Sequence, residues 1–96
     1  VNKREGARDL RRAGALLGVP VRNKYLYPSF QVDAERARVH SVVARVNRLL
    51  GARDDPWGVA SWWISNHPRL GGACPRDLIG SGQEDTLIAL ASGDDD

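Results

Sequence analysis

His67, Cys74 and Asp77 are the residues whose types and spacing come nearest to covalent chemistry. A thiol nucleophile needs a base within hydrogen-bond reach and a third group to orient that base. The surrounding sequence supplies neither an oxyanion hole nor a substrate pocket. The expectation is therefore structural, with Cys74 a small buried residue at a helix start and no catalytic residue in the chain. One cysteine and two distant histidines are too few for a structural zinc site, and no metal or cofactor is expected. The pair Gly71-Gly72 lacks the Gly-Lys-Ser/Thr and the preceding strand of a phosphate loop, so it reads as a tight turn. What remains is the chemistry of recognition, carried by tryptophans and arginines.

All three tryptophans fall within nine residues of DPWGVASWWISNHP. Asp54 or Asp55 can cap a helix there, Pro56 suits its first turn, and Pro68 lies beyond its end. Over Trp57–Ser65, helical spacing puts Trp57, Ala60 and Ile64 on one face and Val59, Trp62 and Trp63 on the opposite side. Two readings stay open for the tryptophans: core filling, or Trp62 or Trp63 as an aromatic anchor for a partner.

Upstream, Val39, Val42, Val43, Val46, Leu49 and Leu50 fall within an arc of about 120°, with Arg38, Ser41, Arg45 and Arg48 facing away. This predicts an amphipathic helix ending near Gly51. Downstream, Asn66–Cys74 reads as a tight loop with Leu70 plugged into the core. A short helix follows over Pro75–Ile79, with Leu78 and Ile79 turned inward. Gly80-Ser81-Gly82 breaks it, and a last helix runs over about Gln83–Ala91, carrying Leu87.

Val1–Gly14 reads as a basic helix, with Arg4, Arg8, Arg11 and Arg12 on one face. Ala15–Val19 is expected as a strand, Pro20–Lys24 as a turn bearing Arg22 and Lys24, and Tyr25–Tyr27 as the returning strand. A basic helix followed by a hairpin is the second half of a winged helix-turn-helix, whose helix enters the major groove while the wing touches the backbone. The first helix of that motif is absent from the sequence, which leaves this chain alone without the usual docking. Ser29–Arg38 is a polar connector anchored by Phe30, with Asp33 capping a turn.

The 96 residues make one small domain, or one and a fragment, with a modest core. The net charge of +2 hides an asymmetry: residues 1–24 carry seven Lys or Arg against two acids, and residues 75–96 carry one against six. Each end reads equally as solvated charge or as a docking surface, the basic one for a polyanion. No apolar run is long enough to span a bilayer, and a single cysteine fits a reducing cytosol.

The valine-rich helix, DPWGVASWWIS, RLGGACPRDLIGSG and EDTLIALA together resemble the Xre/MbcA/ParS toxin-binding domain family. Its signature is Asn-Pro-x-Leu-Gly-Gly-x-x-Pro-x-Asp-Leu-Leu. The segment from Asn66 to Ile79 follows it, with His67 inserted before Pro68 and Ile79 in the final leucine position. The resemblance covers about Asp33–Ala91, and YLYPSFQVD is similar to the family's link between DNA-binding and toxin-binding parts. It implies a cytoplasmic antitoxin that covers the active-site cleft of an NAD-consuming RES-domain toxin and binds its own promoter. The chain would be a homodimer or a hetero-oligomer with the toxin. The toxin-facing part would comprise Trp62, Trp63, Leu70, Gly71, Gly72, Pro75, Asp77, Leu78, Glu84, Asp85 and Leu87. Charge adds that Glu84, Asp85 and Asp94–Asp96 could pair with basic groups in a cleft built for an anionic dinucleotide. The DNA-facing part would comprise Arg4, Arg8, Arg11, Arg12, Arg22 and Lys24. The expected fold is mainly α, a small helical bundle with one β-hairpin, the wing of a truncated winged helix-turn-helix. Residues 1–32 are assigned to the DNA-binding part and 33–96 to the toxin-binding part. A stand-alone DNA-binding regulator with a helical dimerisation domain is the alternative.

Overall fold

Two buried amides, Gln31 and Asn47, tie four stretches of this chain together at its centre. The computed structural model describes residues 6–93. Roughly half of these lie in α- or 3-10 helix.

The first helix, α1 (Gly6–Arg12), buries none of its residues. Gly14, at φ 82, turns the chain out of it. The expected strand over Ala15–Val19 does not form. Ala15, Leu16 and Leu17 run through the interior as irregular chain, and pairing begins only at Val19. An apolar run bounded by glycines is equally compatible with buried coil. Side chains replace the missing ladder. Leu17 N donates to Gln31 Oε1 at 2.8 Å, and Gln31 Nε2 donates back to Leu17 O at 3.0 Å. The hairpin is β1 (Val19–Val21) and β2 (Lys24–Leu26), antiparallel with Val21 opposite Lys24. Its turn is therefore two residues, Arg22 and Asn23, shorter than the expected Pro20–Lys24. Arg22 takes φ 58 to make it.

A 3-10 turn over Ser29–Gln31 leads into a second ribbon, β3 (Val32–Asp33) and β4 (Arg38–Val39), where a plain connector was expected. Among the described residues there are thus two hairpins rather than one. Asp33 caps the loop between these strands by accepting from the N–H groups of Glu35 and Arg36 at 3.1 and 3.3 Å. The apolar side of α1, Ala7 and Leu10, lines an open hollow of about 230 Å³ with Leu16, Tyr27, Val32 and Val39.

The amphipathic helix α2 (Ser41–Leu50) ends at Gly51, whose φ of 76 gives the left-handed cap. Its buried face is Val43, Val46 and Asn47, while Leu49, expected inside, is 47% exposed. Asn47, a polar residue outside the expected apolar arc, thus joins the buried face, and Leu49 does not. Next is α3 (Pro56–Ile64), capped by Asp55, whose Oδ1 accepts from Gly58 N at 3.2 Å. A Cβ on Gly58 would meet that carboxylate, which would have to shift to make room. Two 3-10 turns, Pro68–Leu70 and Pro75–Leu78, lead to α4 (Glu84–Ser92), which packs along α2.

The core gathers Leu17, Val19, Val43, Val46, Ala52, Val59, Trp63, Leu78 and Leu87. It draws on both sides of the boundary expected at 32/33. Phe30 closes it, its ring centroid 5.5 Å from that of Trp63. Nothing in this arrangement singles out a winged helix-turn-helix; what is present is a small helical fold with two short antiparallel ribbons.

Candidate functional site

Three surfaces carry the residues singled out above, and burial sorts them. On α3 the two faces have opposite fates. Trp63 is fully buried and donates from Nε1 to Asn47 Oδ1 at 2.9 Å. Trp62 is partly buried and packs edge-on against Trp63, with centroids 5.1 Å apart at 83°. Trp57 and Ile64, on the other face, are 57% and 54% exposed. An anchor at Trp63 is thereby ruled out by geometry, because the indole is committed to the interior. The apolar surface that α3 offers outward is Trp57 and Ile64.

The loop after α3 closes on itself. His67 N donates to Ala73 O at 3.0 Å and Gly72 N to His67 O at 3.1 Å. Gly71 and Gly72 sit at φ 66 and 91, which lets the chain reverse without a side chain in the way. Both are exposed, and Leu70 packs against the core as expected. Cys74 is partly buried; its Sγ donates toward Ile64 O and Asn66 Oδ1, each at 3.2 Å. Asp77 Oδ2 accepts from Cys74 N at 3.2 Å, and His67 Nδ1 accepts from Arg69 N at 3.2 Å. Each member of the sequence triad thus makes a hydrogen bond to nearby backbone through at least one side-chain atom. Pro75, Leu78 and Leu87 are buried, so they shape this surface from beneath. Glu84 is engaged too, its Oε2 accepting from Gly80 N at 2.8 Å. Asp85 is exposed, and Asp94–Asp96 lie outside the described residues.

The expected basic face of α1 is smaller than four arginines. Arg8 and Arg12 are exposed, and Arg4 lies outside the described residues. Arg11 departs from the pattern. Its guanidinium lies 3.8 Å above the centre of the Tyr25 ring, and its Cδ closes over Gly18, where a Cβ would meet it at 2.8 Å. Cation–π attraction and packing hold Arg11 to the hairpin, so it is a joint rather than a free contact. Arg22 and Lys24 are exposed at the hairpin tip.

A further surface was not anticipated as a site. Asp33, Arg36, Arg38, Val39, His40 and Ser41 line a polar pocket of about 300 Å³ before α2. Partial burial works to raise the Asp33 pKa. The N–H groups of Arg36 and Glu35 and the charges of Arg36 and His40 outweigh it, leaving the carboxyl below the ordinary aspartate value.

Sequence reasoning also missed the centre of the molecule. Asn47 Nδ2 donates to Ala15 O and to Gln31 Oε1, both at 3.0 Å, and Gln31 Nε2 reaches Pro28 O at 3.0 Å. Every donor of both amides is used. For Asn47 a signal existed, since it borders the valine stripe; Gln31 carried none. Among the described residues no three His, Cys, Asp or Glu side chains converge as a metal set, and no helix is long and apolar enough to cross a membrane. Compared with known proteins, the chain matches no family model, no curated protein and no solved structure.

Proposed function

We propose that this chain is an antitoxin that docks on a RES-domain, NAD-consuming toxin and blocks its cleft, with promoter binding as a second activity. The observation that carries the reading is the signature-like stretch Asn66–Ile79. It folds as a self-bonded, outward-facing loop between α3 and α4, with Gly71 and Gly72 exposed. Beside it, Ile64 and Trp57 leave a large apolar area uncovered, of the kind that marks protein contact sites. A tryptophan more than half exposed on a well-capped helix is a pre-ordered anchor, which lowers the ordering cost of binding.

Expression of the neighbouring gene product alone should drain NAD and stop growth, and co-expression should restore growth and yield a co-purifying complex. Trp57→Ala with Ile64→Ala should leave the melting temperature nearly unchanged and weaken that complex by about 10-fold or more. Purification of this chain as a stable dimer, with no toxin silenced, would instead favour the stand-alone regulator. The exposed Arg8, Arg12, Arg22 and Lys24 support that second reading.

A further inference from the structure

The solvent side of α2 is an arginine ridge that begins at the polar pocket and ends against Gly14, just past α1. At helical spacing, Ser41, Arg45 and Arg48 share an arc of about 60°, opposite the buried Val43, Val46 and Asn47. Arg38 stands at the head of this line in the pocket wall. At the other end the Arg48 stem lies against Gly14, its Cγ 3.7 Å from where a Cβ on that glycine would sit. The helix contains no acid. Asp33, the carboxylate of the pocket wall, is occupied by two backbone N–H groups and by Arg36 Nη1 at 3.2 Å. Arg38, Arg45 and Arg48 form no ion pair with any described carboxylate.

We infer that this ridge binds the phosphate backbone of double-stranded nucleic acid without reading its sequence, separately from the arginines of α1 and the hairpin. The cations on the ridge are all arginine, whose planar fork suits phosphate oxygens. From Ser41 to Arg48 the helix rises about 10 Å, whereas one strand of a duplex presents a phosphate every ~3.4 Å along its axis. The ridge therefore fits a run of phosphates better than a single ion. Ser41 adds a hydroxyl donor between Arg38 and Arg45, and a guanidinium line on one rigid helix keeps its spacing when bound.

The test uses the full chain and a labelled duplex of about 20 base pairs of mixed sequence, followed by anisotropy from about 50 to about 200 mM NaCl. The unaltered chain should bind with a steep salt dependence. Combined Arg38→Gln, Arg45→Gln and Arg48→Gln should cut the slope of log affinity against log salt by about 2–3. Combined Arg53→Gln and Arg76→Gln should leave it unchanged. All three positions are exposed, and an unaltered far-UV melting curve establishes that the variants fold. An unchanged slope in the triple variant overturns the inference, as does failure of the unaltered chain to bind at low salt. Equal competition by polyglutamate overturns it too, because the partner would then be an acidic protein surface. Loss confined to Arg8→Gln with Arg12→Gln removes the ridge but leaves the promoter-binding part of the proposed function standing.

Discussion

At the residue scale, the weight rests on Asn47. Its carbonyl accepts the Trp63 indole and its amide serves Ala15 and Gln31. Asn47→Ala would strand the Trp63 N–H and the Ala15 carbonyl in the interior and leave a small cavity. Unsatisfied buried groups cost roughly 1–3 kcal/mol each, so urea unfolding should show a loss of about 2–5 kcal/mol. Asn23→Ala, in the exposed hairpin turn, should change stability by less than about 0.5 kcal/mol. The sequence displayed Asn47 at the border of an apolar stripe, where a polar residue usually marks the edge of a buried face. Whether it points in or out depends on what waits for it, and its partners lie 16 and 32 residues away. No local pattern carries that information. Arg11 escaped for the same reason: its charge reads as surface, and only the hairpin's position shows the ring beneath it.

Among the elements, α2 and α3 were legible because their ends are chemically marked. Gly51 closes one, and Asp55 with Pro56 opens the other. The cap and Gly58 form a pair whose coupling can be measured. Asp55→Ala should cost about 1 kcal/mol through loss of the cap. Gly58→Ala should also destabilise, although alanine is the better helix former, because its Cβ displaces the Asp55 carboxylate. In the Asp55→Ala background the sign should reverse, with Gly58→Ala gaining about 0.5–1 kcal/mol. A double-mutant cycle by urea unfolding gives the answer. The short ribbon of β3 and β4 was illegible, since two-residue strands show no alternation. The segment over 15–18 misled in the opposite sense: a short apolar run looks like a strand until its backbone partners turn out to be side chains.

For the whole molecule, a division into residues 1–32 and 33–96 suits a modular reading of function, but packing crosses that line. Leu17 and Val19 belong to the same core as Val59, Trp63 and Leu87. A fragment covering 33–96 loses those two side chains, Gln31 and the Ala15 carbonyl together. It should show no cooperative thermal transition by circular dichroism, whereas the full chain melts in one step. The apolar side of the candidate contact surface was half legible: the Trp57–Ile64 stripe was visible as a stripe, but which stripe faced outward was settled only by Phe30 and Asn47 claiming Trp63. The middle of this protein is joined by two carboxamides and an indole, none of which gains or loses a proton in the range where cells live. Ionic strength can loosen what the arginines hold outside, and acid the Asp33–Arg36 pair, while the inner joint stays deaf to both.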